Sequence, residues 1–319
     1  MSKVHLSLVI PCYNRGKLIA QTIESALVQT RPFREIIVVD DGSTDETRGV
    51  LSRFEGLIQA ITVENGGVQR ARNVGVAATQ GSHIALCDSD DLLEPDFVAT
   101  TTSWLEAHDD IDALYCNFRT FNEHGLQLDK FETAPAGFFS DAHYDGAFCL
   151  DIEDLYARLM RYQPLFPTGS VFRKTFFDSI GGYDPRFRGV GSEDLEFTLR
   201  VIDHGRVALC TRPLTRVRKH DGNISATPMR QVKGEIAILE FALQQHDAAK
   251  RYRDEVRSSL TKRRIDLFNA AFADGDFDMA ASTLARIDEL PDDPKFQVKR
   301  LIMGLPNLVR TPLWRASQM

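Results

Sequence analysis

The sequence predicts an α/β fold, with a doubly wound and mostly parallel sheet over residues 1–226 and a helical C-terminal region over residues 227–319. Three observations lead to it. Apolar runs of strand length alternate with helix-period segments through roughly the first 120 residues. Acidic residues follow directly on those runs, at the strand ends where open α/β sheets bind ligands. From about residue 230 the composition shifts to Ala, Leu, Glu, Arg and Gln in helical spacing, as in Ile236, Leu239, Glu240 and Leu243.

Leu6 to Ile10 reads as a strand, and Lys17 to Gln29 places Leu18, Ile19, Ile23, Ala26 and Leu27 on one helical face. Ile36 to Val39 is a continuous apolar run, as in a strand covered on both faces. Ser43 and Glu46 match a capping box, which starts a helix running to about Phe54. Leu57 to Val63 gives a third strand, Gly67 to Thr79 a helix and Ile84 to Cys87 a fourth strand. Pro95 suits a helix start, where its missing N–H costs nothing. Residues 117–163 mix Gly, Asp and aromatics without a period, so loops and a short hairpin are expected. Order returns at Gly169 to Phe177, in the helix Asp194 to His204 closed by Gly205, and in the strand Val207 to Cys210.

The net charge of −7 argues against nucleic acid as the main partner, because backbone binding relies on a clustered basic surface. Cys12, Cys87, Cys116, Cys149 and Cys210 are widely spaced and lack a C-x-x-C pair. They read as buried reduced thiols of a cytoplasmic protein, not as disulfides or zinc ligands. No secretory leader is expected at the N-terminus, and no apolar run reaches the ~18 residues of a spanning helix. The C-terminal stretch from Lys295 contains Lys295, Lys299, Arg300, Arg310 and Arg315 and no acid, interleaved with Phe296, Leu301, Ile302, Met303, Leu305, Leu308 and Trp314. That pattern suits either an anionic membrane surface or a helix packed on its own domain with a solvated basic face.

Four groups of residues carry chemistry. Asp88, Asp90 and Asp91 crowd three carboxylates directly after a strand, and mutual repulsion calls for water or a cation. Oxygen ligands with positions left for phosphates suit Mn2+ or Mg2+. Metal or ribose binding is expected of Asp88 and Asp90, and a structural role of Asp91 at the helix after Pro95. Pro11-Cys12-Tyr13-Asn14 and Asp40-Asp41-Gly42-Ser43 end the first two strands. A carboxylate there can accept from a pyrimidine N–H or a ribose hydroxyl, or it can serve only a turn and a cap. Asn65-Gly66-Gly67 with Arg70, Arg72 and Asn73 offers amides and guanidinium groups to phosphate, although Arg70 and Arg72 point to different sides of a helix. Glu193 and Asp194 open a helix, where the dipole alone would favour acids, and where a carboxylate could also deprotonate a hydroxyl.

Together these residues resemble the GT-A glycosyltransferases of the large family 2, over roughly residues 5–226. The resemblance lies in Leu8 to Asn14, Val39 to Asp45, Ala71 to Gly75, Asp88 to Asp91, Gly181 to Asp184, Glu193-Asp194 and His220 to Ser225, in this order and at these intervals. It implies an inverting, single-displacement transfer of a sugar from a nucleotide-diphosphate sugar, a UDP-sugar by default, to a hydroxyl acceptor, with a divalent metal. By motif position Asp41, Pro11, Tyr13 and Asn14 would contact the base, Asp88 the ribose, and Ser89 and Arg72 the remainder of the donor. Asp90 would bind the metal with His220 as a further ligand, Asp194 would be the general base and Glu193 would shape the acceptor pocket. Pro167-Thr168-Gly169-Ser170 is similar to the acceptor-side loop, with Gly169 and Ser170 beside the sugar; a plain strand-entry turn would look the same.

A sugar nucleotidyltransferase would need a Gly-rich phosphate loop with a lysine after the first strand, and a dehydrogenase a G-x-G-x-x-G; the sequence has neither. The alternatives are a sugar nucleotidyltransferase, or a non-catalytic nucleotide-sugar-binding protein of the same fold. The expected acceptor is a glycan, lipid-linked glycan or other hydroxyl compound in polysaccharide, O-antigen or glycoconjugate assembly. The expected location is the cytoplasm or the inner face of a membrane, with the helical C-terminus serving acceptor choice, homodimerisation or membrane contact.

Overall fold

The computed structural model describes residues 4–219 and 228–317. The chain divides into two units, residues 1–189 with 193–223, and residues 190–192 with 224–319. In the first unit the strands are β1 (Leu6–Cys12), β2 (Glu35–Asp40), β3 (Gln59–Thr62), β4 (His83–Leu86), β5 (Leu92–Leu93), β6 (Ala113–Asn122), β7 (Gly125–Asp129), β8 (His143–Asp145), β9 (Phe148–Leu150), β10 (Ser170–Arg173) and β11 (Val207–Arg218). They form one sheet in the order β3-β2-β1-β4-β10-β6-β11-β9-β8, with β5 on β11 and β7 on β6.

The helices of this unit are α1 (Ile19–Leu27), α2 (Thr47–Leu51), α3 (Val68–Ala78), α4 (Phe97–Leu105), α5 (Leu155–Leu159), α6 (Lys174–Ser179) and α7 (Glu193–His204). Every residue of β1 is buried, because helices cover both faces of the sheet here. Leu6, Leu8, Ile10 and Cys12 join Ile36 and Val38 against Ile19, Ile23 and Ala26 of α1. Ile37 and Val39 point the other way and pack with Ala71, Val74 and Ala78 of α3. Gly75 permits that second contact, since a Cβ there would lie 2.3 Å from Val9 Cγ1 and 3.1 Å from Val39 Cγ2.

The β3-β2-β1-β4 half is parallel, as expected. Beyond it β10 runs antiparallel to both β4 and β6, and β6 pairs parallel with β11. The two parallel stretches meet through one reversed strand, so the sheet is mixed. Chain order also reverses around β1, between β2 and β4, which opens a crevice beyond the strand ends.

Local signals failed where tertiary partners claimed the same atoms. Ser43 caps nothing: its N–H donates to Asp40 Oδ1 at 2.8 Å and its hydroxyl accepts from Asn14 N, so α2 starts only at Thr47. Pro95 does not begin a helix either. Leu92 and Leu93 are extended against Arg216 and Thr215, and α4 starts at Phe97. The aperiodic stretch after Asn117 holds the end of a long β6 and two hairpins, β6-β7 and β8-β9.

The second unit is helical: α8 (Pro228–Gln245), α9 (Asp247–Arg251), α10 (Arg253–Asp274), α11 (Phe277–Leu284), α12 (Pro294–Met303) and α13 (Asn307–Ser317). Phe268, Ala271 and Phe272 of α10 pack with Ala280, Ile287, Phe296, Ile302 and Met303. All five cysteines, which belong to the first unit, are buried and free. Replacing Gly75 with Ala is expected to cost about 1–3 kcal/mol through overpacking, read as a lower urea midpoint; an unchanged midpoint would mean that α3 lifts without penalty.

Candidate active site

Three loops leave the carboxyl ends of β1, β2 and β4 and are tied to one another by their own polar groups. Asn14, at φ 50°, accepts the Thr44 amide at Oδ1, 2.8 Å away, and its own N–H donates to Ser43 Oγ. Pro11 is buried within β1, whereas Tyr13 beside it is exposed. Asp40 is fully buried and accepts from Ser43 N and from Arg48 Nε at 2.9 Å. Asp41 accepts the Gly66 amide at Oδ1 (2.7 Å) and the Gly67 amide at Oδ2 (2.8 Å). Those two amides therefore bind a carboxylate of the chain itself, which corrects the expectation that they meet phosphate. Asp41 is 3% exposed, and each of its oxygens retains a second lone pair beyond these bonds.

Arg72 stands at the centre. Its side chain is 2% exposed, one guanidinium nitrogen donates to Asp88 Oδ1 at 2.7 Å and another to Asp194 Oδ1, which lies 122 residues downstream. Its Nε is buried without an acceptor, and Tyr183 places its ring 4.8 Å from the guanidinium carbon. Arg70, two residues earlier, turns outward to the Glu64 carbonyl, as helical geometry requires. Tyr183 is held in turn by Phe197, stacked at 4.0 Å, and by Asn73, which exchanges two hydrogen bonds with the Tyr183 backbone. A Cβ at Gly182, where φ is 64°, would meet Asn73 Oδ1 at 2.7 Å.

Burial works against the charge on Arg72, yet Asp194, Tyr183 and Asp88 raise its pKa well above the ordinary value. Burial pushes the Asp194 carboxyl above its ordinary range; Arg72 pulls it back, while Asp88 and Glu193 push further. Asp194 nevertheless keeps 34% of its side chain accessible. The outcome is a carboxyl of raised basicity, paired with one guanidinium that opposes its protonation and still open to a ligand. Glu193, also in the first turn of α7, is half-buried beside it.

The aspartates after β4 divide by accessibility. Asp91 is buried, takes the Thr168 hydroxyl at 2.6 Å and the Arg218 amide at 2.8 Å, and is pushed well up by burial and by Asp88 and Asp90. It staples the β4 loop to β10 and β11, and so does not cap the helix as expected. Asp90 lies 3.3 Å from Arg15 Nε, and Arg218 Nε reaches the Asp90 carbonyl. Arg72 and Arg15 are thus among the cations that answer the aspartate cluster. Sequence reasoning missed Arg15, whose only signal was a cation just beyond a strand end facing acids. No cluster of three metal-binding side chains occurs among the described residues. A site of one or two carboxylates completed by water and diphosphate does not need one, and Asp90 with Asp88 fits that donor set.

Three residues expected beside the donor or the acceptor are engaged within the fold. Ser89 is buried, with its hydroxyl beside the Cys12 thiol. Ser170 is fully buried and donates to the Pro167 carbonyl at 2.6 Å. Gly169 is buried at φ 89°, where a Cβ would lie 2.7 Å from Thr215 Cγ2. This segment is a packing turn, and its small residues are required by neighbouring strands. His220 lies outside the described residues.

Residues 7–147 match the family model described as Glycosyl transferase family 2, and residues 153–227 match that of the N-terminal domain of galactosyltransferase. Similar curated proteins include the glycosyltransferase GlyG of Streptococcus pneumoniae, 33% identical over 37% of this chain and 40% of its own. The putative teichuronic acid biosynthesis glycosyltransferase TuaG of Bacillus subtilis is 33% identical over 43% of this chain and 55% of its own. An uncharacterized glycosyltransferase of Rickettsia typhi is 28% identical over 72% and 68%. The chain thus spans about half the length of GlyG and TuaG. Among solved structures, S. aureus TarS 1–349 in complex with UDP-GlcNAc superposes with a TM-score of 0.61 at 18% identity, over 98% of this chain and 88% of that one. That likeness concerns the fold.

Replacing Arg72 with Met removes the cation from two carboxylates. The expected cost at pH 7.5 is about 1–3 kcal/mol, below that of a fully buried pair because water reaches both acids. Without Arg72 the folded pKa of Asp194 rises further, so its penalty is present at neutral pH and fades as pH falls through that raised value towards 3.8. Urea unfolding should therefore show a smaller gap from the parent at pH 4.5 than at pH 7.5; equal gaps would remove Arg72 as the carboxylates' counterion.

Proposed function

Over residues 7–147 this chain belongs to glycosyl transferase family 2, and on that premise we propose that it transfers a sugar from a UDP-sugar to a hydroxyl acceptor with inversion, using a divalent metal. The observation that carries the reading is Arg72, which joins the strand-end aspartate Asp88 to the helix-start aspartate Asp194 in one site. The fold shared with TarS, whose structure holds UDP-GlcNAc, supports a uridine donor. TuaG's naming for teichuronic acid biosynthesis supports an acceptor in carbohydrate polymer or glycoconjugate assembly.

In this reading the exposed Tyr13 ring covers the base, Asn14 and the Pro11 carbonyl line its edge, and the open lone pairs of Asp41 accept a pyrimidine N–H. Asp88 takes the ribose hydroxyls through the part of its carboxylate that Arg72 leaves. Asp90, with Asp88 nearby and His220 from the following segment, would hold Mn2+ or Mg2+, which offsets charge on the diphosphate when bound. Arg15 is placed to stay beside Asp90 or to turn onto a phosphate oxygen.

Asp194 removes the proton as the acceptor oxygen attacks the anomeric carbon. The bond from that carbon to the diphosphate oxygen breaks, and the nucleoside diphosphate leaves with its electron pair. The raised basicity of Asp194 suits this step, while the Arg72 charge favours its ionised form. Glu193 adds a polar wall on the acceptor side.

Asp194→Asn is expected to lower transfer by about 10²–10⁴-fold while UDP-sugar affinity stays nearly constant; unchanged turnover would remove Asp194 as the base. With Asp90→Ala, the thermal stabilisation by UDP that depends on Mn2+ should vanish, and a variant retaining it would exclude Asp90 from metal binding.

A further inference from the structure

The last two helices of the second unit have one face fixed and one face bare. Phe296, Ile302 and Met303 of α12 enter the helical core, and Trp314 of α13 donates Nε1 to the Phe272 carbonyl at 2.6 Å with its ring edge-on to Phe277. These anchors leave Val298, Leu301, Leu308, Val309 and Leu313 on the outside, with Leu308 92% exposed. Large apolar side chains gathered over two consecutive helices exceed the scattered exposure normal for a surface.

Charge identifies the occupant. Lys295, Arg300 and Arg315 are exposed beside the apolar residues, Lys299 and Arg310 are half-buried, and no Asp or Glu follows Asp293 in the sequence. The chain as a whole carries −7, so this cationic end stands against the general sign. A second copy docking by two-fold symmetry would bring the same cations face to face. Interleaved apolar and cationic groups instead match a bilayer boundary, where acyl chains take the former and anionic headgroups the latter. No described helix is long and apolar enough to cross a membrane, so contact would be with the surface.

We propose that the outer face of α12 and α13 docks on an anionic lipid surface. Leu308, Val309 and Leu313 enter the headgroup boundary, and Lys295, Arg300 and Arg315 meet lipid phosphates. This stands independently of the sugar-transfer reading, because none of these residues belongs to the candidate active site.

The test is co-sedimentation of the full chain with vesicles of phosphatidylcholine alone or mixed with phosphatidylglycerol. Binding is expected only to the mixed vesicles and should weaken with salt. Leu308→Glu with Leu313→Glu should reduce it by at least about tenfold, with the thermal midpoint unchanged as both sites are exposed. Absence of binding, equal binding to neutral vesicles, or an unaffected double variant would overturn the proposal. So would light scattering that shows a dimer which the double variant dissolves.

Discussion

A single guanidinium buried among carboxylates sets the terms for the rest of the candidate site. Arg72 gives up water almost completely and is compensated by Asp88, Asp194 and the Tyr183 ring. Such a cation is tolerated only when its partners stay in place. The demand passes outward: Tyr183 must be stacked on Phe197, Asn73 must grip the Tyr183 backbone, and Gly182 must lack a side chain. Chemistry and folding therefore share atoms. The carboxylate proposed to remove a proton is also half of the ion pair that docks α7 on α3.

The acids after the strands serve two ends according to depth. Asp40, Asp41 and Asp91 lie inside and spend their oxygens on backbone amides, a hydroxyl or Arg48, turning three loops into one cross-linked rim. Asp88, Asp90 and Asp194 lie nearer water and are matched by Arg72 and Arg15. Burial raises the cost of an unpaired charge, so the inner acids must be satisfied by the fold before any ligand arrives, whereas the outer ones can exchange their partners for a ligand. A rim of this kind presents preorganised oxygens without a Gly-rich loop.

The parallel half of the sheet was legible because Leu6 to Ile10 and Ile36 to Val39 are apolar runs of strand length that alternate with helix-period segments. Family-typical segments brought Asp88 and Asp194 into the list before any contact was visible. Other features were hidden for a physical reason: they depend on which distant group wins a hydrogen bond. Ser43 has the pattern of a cap, but Asp40 and Asn14 claim it first. Asp91 looks like a helix cap until Thr168 and Arg218 arrive from remote strands. Ser170 and Gly169 have the small size that would suit a sugar, and the same size is needed for tight packing against Pro167 and Thr215. The antiparallel β10 left no trace, since reversing a buried strand leaves its apolar pattern unchanged.

The buried cysteines carry one more consequence. Cys12 and Cys87 lie at the ends of β1 and β4, directly beneath the rim, while Cys116, Cys149 and Cys210 sit on the neighbouring strands β6, β9 and β11. Burial lifts Cys12 to about 12 and Cys149 to about 12, so at neutral pH these two thiols stay protonated, whereas the Cys116 thiol beside Cys210 pulls the latter down. Electrophiles can reach them only when the surrounding strands part. The chain thus holds a built-in gauge of native-state breathing, with one set of marks under the candidate site and another across the far half of the sheet.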